Sequence, residues 1–220
     1  MNSSAPFSLE PLAAALLLGL RDELRLTPKP GLVDLRDSGS HPDLGYAVMS
    51  RSIDLLEEYF AALLTLLKSG APLAILIACG RQAEERMLRR LGTNTHKGAI
   101  FLGGLLLAAA ARCGRGRSIS LRGEIAALGA EIFALQNPQG TNGEAVRRDL
   151  KVGGILAEIR AGLPALFEVA LPALRQSRQE GRGGDSAAFL AMSRLMQCVE
   201  DTTALHRCGF EGLERIRGDG

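Results

Sequence analysis

Gly92-Thr-Asn-Thr-His-Lys-Gly98, followed at once by Ala99-Ile-Phe-Leu-Gly-Gly-Leu-Leu-Leu-Ala-Ala-Ala-Ala111, is the stretch on which the fold turns. Its second half is almost wholly apolar, and a helix apolar on every face belongs at the centre of a helical bundle. The run falls short of the ~20 residues that span a bilayer. Its N-terminus is therefore a buried helix end, with unpaired backbone N–H groups and the positive end of the dipole. Asn94, Thr95, Lys97 and Gly98 at such an end suit the cradling of a phosphate. Asn94 or Thr95 serves equally well as a plain N-cap. A lysine in the first turn opposes the dipole, which costs a few tenths of a kcal/mol unless an anion compensates.

Other helices flank this centre. One runs from about Leu9 to Leu24, with Ser8 as its expected N-cap. Met49, Ile53, Leu56, Phe60, Leu63 and Leu67 recur at steps of four and three, the apolar stripe of an amphipathic helix. Gly70 and Pro72 close it, and a further helix covers Leu73 to Leu91. Beyond the loop Gly114-Arg-Gly-Arg117, helices are expected near Leu121–Leu135, Glu144–Ala161, Pro164–Gln176 and Ser186–Val199, the last capped by Asp185. Between the first two helices lies Thr27-Pro-Lys-Pro-Gly-Leu-Val-Asp34, whose prolines and glycine forbid a helix interior, and then a polar loop reaching Asp43. The pattern predicts one all-α domain over residues 1–220, a bundle of about seven to nine helices.

Composition agrees. Leu and Ala supply 68 of 220 residues against 23 for Val, Ile and Thr together, and Trp is absent, which favours helix over strand. A hydrophobic content of 46% and a net charge of +2 exclude disorder and give no footprint for nucleic acid or an acidic membrane. A pI near 8.4 still leaves room for a local basic pocket. Cys79, Cys113, Cys198 and Cys208 show neither metal spacing nor a disulfide framework, and Met1–Glu10 has no charged leader region. The expectation is a cytoplasmic protein.

The motifs then carry a likeness. TPKPGLVD (Thr27–Asp34), Gly39-x-His41-x-Asp43, and NTHKGAIF with Gly103 after it resemble the triphosphoribosyl-dephospho-CoA synthase family. So do Ala83-Glu84 with Met87, Gly154 and Glu158 before Ala161-Gly162-Leu163-Pro164, and Glu200-Asp201-Thr202 followed by Arg207 and Gly209. The likeness extends from about Leu9 to Leu213. Departures occur at Pro42, Leu44, Arg86, Leu156, Thr203 and Cys208, and family members generally continue into another helical segment where this chain stops.

The resemblance implies a transferase that joins the triphosphoribosyl group of ATP to the 2′-hydroxyl of 3′-dephospho-CoA and releases adenine. The product is the precursor of a prosthetic group carried by acyl carrier subunits, so machinery that modifies an acyl carrier protein is an implied partner. It further implies Mg²⁺ with the ATP. Lys29, Asn94, Thr95, Lys97, Gly98 and Arg207 are then nucleotide contacts. Asp34, Asp43, Glu84 and Asp201 suit metal, and His41, Asp43 and His96 suit proton transfer. Plainer roles exist: Asp34 and Asp43 as turn or helix caps, Glu84 as part of a solvated helix face. The departures keep two other readings open, a nucleotide N-glycoside hydrolase and a nucleotide-binding relative without transfer. Under any of them, the loops Thr27–Asp43 and Gly92–Gly98 and the turn Asp201–Gly209 are expected to meet at one cleft.

Overall fold

The computed structural model describes residues 8–29, 31–39, 44–114, 120–135, 154–199 and 218. Every described element is helical, as the composition predicts. The chain divides into two compact units, Met1–Glu124 and Ile125–Gly220.

In the first unit, α1 (Glu10–Arg25), α2 (Tyr46–Lys68), α3 (Leu73–Leu91) and α4 (Lys97–Gly114) pack together. The stripe on α2 is the core: Ile53, Leu56, Phe60 and Leu63 are all at most 2% exposed. Helix α4 meets α1, α2 and α3, as its all-round apolar surface requires. It is long and apolar enough to cross a membrane, yet 44% of that span is buried inside the protein. Close approach is made possible by Gly103, where a β-carbon would stand 2.6 Å from Phe60 Cζ. Helix ends follow the predicted punctuation. Gly92, at φ 73°, ends α3 with its N–H on the Leu88 carbonyl, and Gly70, at φ 70°, turns the chain out of α2. The cap on α1 differs from expectation: Leu9 is the N-cap, and the Ser8 hydroxyl bonds the Glu10 carboxylate rather than a backbone N–H.

Helix α5 (Leu121–Leu135) begins in the first unit and continues into the second. In the second unit Ile125, Leu128 and Ile132 form its buried stripe, and Gly129 admits the side chain of Ile159 from α6 (Gly154–Arg160). The early turns of the expected Glu144–Ala161 helix lie outside the described residues. After α6, Gly162 and Leu163 both take positive φ, and the Glu158 carboxylate accepts the Ala165 N–H across the turn. That accounts structurally for the spacing of Glu158 and Ala-Gly-Leu-Pro.

The helix expected at Pro164–Gln176 is two pieces, a π-helical segment Ala165–Ala170 and α7 (Leu171–Gln179). Pro172 has no N–H to offer the carbonyl four residues back, so the preceding turn widens and Leu171 N bonds Leu166 O. Helix α8 (Asp185–Cys198) packs on both pieces. Its N-cap is Gly184 at φ 58°, with Asp185 inside the first turn, so Asp185 favours the dipole there but is not the cap.

Candidate functional site

The two polar loops of the first unit meet at the N-terminal half of α2. Val33 of the first loop packs on Ile53 and Leu24. The adjacent α2 residue, Ser52, hydrogen-bonds His96 of the second loop. Asp34 shapes the first loop from within. One carboxylate oxygen accepts Lys29 N–H at 2.8 Å, the other Arg36 N–H at 2.7 Å and Asp37 N–H at 3.1 Å. Those backbone donors, Lys29 first, hold its pKa below the ordinary 3.8 although burial opposes them. Lys29 turns inward: its ammonium, 2% exposed, donates to the Glu23 carboxylate at 2.6 Å and to the Glu23 carbonyl at 2.8 Å.

The second loop is anchored to α3. Asn94 donates to the Glu84 carboxylate at 3.2 Å, and Lys97 lies 3.7 Å from the same oxygen. Thr95 directs its hydroxyl to Met87 sulfur at 3.9 Å and approaches His96 Nδ1 at 3.3 Å. Neither Asn94 nor Thr95 is thus the N-cap. His96 holds that place, its carbonyl accepting the Ile100 N–H. Tyr59 on α2 steadies the same turn by donating to the Ile100 carbonyl, and burial raises its pKa far above the usual phenol value. Asn94 Oδ1 is buried and has no hydrogen-bond partner among the described residues.

His96 is 8% exposed, and burial lowers its pKa, while the nearby Glu23 carboxylate pulls the other way. Lys97 stands outside with its side chain 58% exposed. The backbone N–H groups of Lys97, Gly98 and Ala99 precede the first helical bond and have no acceptor among the described residues. A neutral buried imidazole, an exposed ammonium and three free N–H groups therefore stand at one helix end. Chemically that combination receives an anion beside a group able to move a proton.

Seven of the predicted residues lie in this neighbourhood: Lys29, Asp34, Glu84, Asn94, Thr95, His96 and Lys97, with Gly98 in the first turn of α4. His41, Asp43, Asp201 and Arg207 lie outside the described residues. Among the described residues no three His, Cys, Asp or Glu side chains cluster as a metal site. Three participants went unnoticed in the sequence: Ser52, Tyr59 and Glu23. Ser52 and Tyr59 are both buried on α2, and the sequence alone does not separate them from the neighbours on that helix that only pack.

Residues 9–219 match the family model for CitG, ATP:dephospho-CoA triphosphoribosyl transferase. The chain belongs to this family. A protein of Klebsiella pneumoniae named 2-(5″-triphosphoribosyl)-3′-dephosphocoenzyme-A synthase is 36% identical, over 90% of this chain and 73% of its own length. Proteins of Stutzerimonas stutzeri and Azotobacter vinelandii, each named a probable synthase of the same kind, are 39% and 40% identical over 97% of this chain and 76% of theirs. No solved structure matches the chain. Membership in the CitG family gives the helix end at His96–Lys97 a chemical context, since a triphosphate-bearing nucleotide is among the family's substrates.

Proposed function

We infer that this CitG-family chain transfers the triphosphoribosyl group of ATP to the 2′-hydroxyl of 3′-dephospho-CoA and releases adenine. The observation that carries the reading is the family match over residues 9–219, met by a helix end built to take phosphate. The free N–H groups of Lys97, Gly98 and Ala99, with the dipole behind them, receive phosphate oxygens. Lys97 supplies the mobile positive charge, and the unfavourable placement of a lysine at this end is relieved when the anion arrives. Lys29 ties the first loop to α1 through Glu23, and Asp34 holds the loop's own backbone in shape. His96 handles the proton of the reacting groups.

The residues fit a Mg²⁺ ion that arrives on the triphosphate. Glu84 offers a partly exposed carboxylate, a hard donor that would help hold the ion. When bound, the ion supplies charge neutralisation to the polyphosphate. Asp43, Asp201, His41 and Arg207 complete the assignment by resemblance. The product serves the modification of an acyl carrier protein, and the reaction belongs in the cytoplasm.

Incubation with ATP, Mg²⁺ and 3′-dephospho-CoA, followed by mass spectrometry, tests the reading. Adenine and the coupled product are expected in equal amounts. Adenine formed without coupled product marks a hydrolase, and nucleotide binding without adenine marks a relative that does not transfer; either refutes the inference.

A further inference from the structure

A side chain of α2 bonds directly to the backbone of α4: the Tyr59 hydroxyl lies 3.3 Å from the Ile100 carbonyl. A carbonyl oxygen only accepts, so the hydroxyl is the donor. Helices α3 and α4 make room for its oxygen with glycines. A β-carbon at Gly80 would touch that oxygen at 3.7 Å, whereas one at Gly104 would overlap it and stand 3.6 Å from Cζ of the ring. The notch at Gly104 therefore fits the oxygen atom and not merely the ring. Packing does not explain that atom. Tyr59 is 4% exposed, and a phenylalanine would fill the apolar space without burying a hydroxyl, whose desolvation one bond roughly offsets. What the hydroxyl adds is a fixed point in the first turn of α4.

That turn begins at Lys97. The peptide that offers the Ile100 carbonyl also carries the Phe101 N–H, which in a helix starting at Lys97 bonds the Lys97 carbonyl. The Lys97 carbonyl in turn shares its peptide with the Gly98 N–H, one of the groups that face the anion. A donor at Ile100 thus polarises a chain of two peptides that ends where phosphate is received. Ser52, seven residues earlier on α2, meets His96 just ahead of the same turn, so α2 holds it at both ends.

We propose that the Tyr59 hydroxyl is a positioning group for the triphosphate: it fixes and polarises the first turn of α4, so that the N–H groups of Lys97, Gly98 and Ala99 are aimed at phosphate oxygens before the nucleotide arrives. The proposal deepens the phosphate reading of this helix end and rests on it. Tyr59 is buried beneath the turn and touches no substrate in this scheme, so it is a positioning residue and not a catalytic one. Dipoles already in place bind without the cost of reorientation, so loss of the hydroxyl falls on nucleotide affinity more than on the fold.

Calorimetry with Mg·ATP on the full chain, paired with urea unfolding, tests this. Tyr59→Phe should weaken Mg·ATP binding by about 3- to 10-fold, the worth of one hydrogen bond, and raise KM for ATP by a similar factor with KM for 3′-dephospho-CoA kept. Gly104→Ala, which displaces the oxygen, should weaken Mg·ATP binding as much and also lower the urea midpoint. In the double variant Tyr59→Phe/Gly104→Ala the overlap is gone. Its urea midpoint should return at least to that of Tyr59→Phe while Mg·ATP binding stays weak. Recovery of binding along with the midpoint overturns the proposal, because the oxygen would then matter only as bulk. Equal losses for both substrates mark a merely structural residue and overturn it too. Unchanged affinity in Tyr59→Phe, against a wild type that binds, refutes the positioning role and leaves the phosphate reading standing. A wild-type chain that binds no Mg·ATP overturns both. If Gly104→Ala alone does not fold, Tyr59→Phe and the double variant still decide.

Discussion

Replacing Gly103 by alanine tests the packing that sets the site's position. A β-carbon at Gly103 would lie 2.6 Å from Phe60 Cζ and 2.9 Å from Cε1, with Leu16 Cδ1 3.9 Å away on another side. Carbon atoms pack best at about 3.5–4.0 Å, so the ring must retreat by roughly an ångström. Phe60 has little room: it is 2% exposed, with the Tyr59 ring centroid 5.3 Å away. Overpacking of this kind costs about 1–3 kcal/mol. Alanine also returns about 1 kcal/mol of helix propensity, which obscures the steric cost if the variant is judged alone. Gly19→Ala in α1 isolates it, because nothing lies within 4 Å of a β-carbon there and that variant gains the propensity in full. The expected result is that Gly103→Ala is less stable than Gly19→Ala by about 1–3 kcal/mol, read from urea midpoints by circular dichroism at equal slope. Phe60→Leu should rescue part of the loss, a coupling that a double-mutant cycle measures. Equal stability of the two alanine variants would refute the close-approach argument and leave Gly103 without a packing role.

Two further outcomes follow from the site. Lys97→Met should weaken Mg·ATP binding by about 10- to 100-fold in calorimetry while the helical signal stays intact, because a charge-assisted phosphate contact is lost from an exposed side chain. Asp34→Asn should lower stability near neutral pH and flatten its acid dependence. The Asp34 carboxyl is depressed below 3.8 in the folded chain, so its contribution is complete above that value and disappears as pH falls through the folded pKa. Urea midpoints of wild type and variant should therefore keep a constant gap down to about pH 3.8 and converge below it; a gap that persists unchanged well below pH 3.8 would contradict the assignment.

The helices were legible wherever one periodicity or one punctuation mark dominated. The α2 stripe and the Gly70–Pro72 break placed two helices, and Leu73–Leu91 and Leu121–Leu135 have the bounds that the sequence predicts. What escaped depended on the chain's interaction with itself. Pro172 reads as a permitted first-turn proline, yet its missing N–H is met by a π turn upstream. The caps at Ser8 and Asp185 failed because neighbouring residues took the capping position, a choice of one residue that composition does not determine. In the site, the loop motifs marked the polar residues. Their division of labour needed coordinates: Lys29 and Lys97 look alike in sequence, but one faces Glu23 in the interior and the other solvent. Ser52 was hidden among leucines because a helical stripe does not say which member touches a loop.

Ser52 and Ile53 are consecutive residues, and each holds a different loop. The two loops are thus gauged against a single peptide step of a rigid helix. Neighbouring positions on an α-helix differ by about 1.5 Å in height and 100° in azimuth, and loop stiffness does not alter that offset. Lengthening either loop at its tip leaves the gauge untouched. One residue inserted within the first turns of α2 swings Ser52 and Ile53 about 100° together against their partners, so both loops would lose their docking points at once. Helix α2 acts as a vernier for the site: coarse placement comes from the bundle, fine alignment from one step of its backbone.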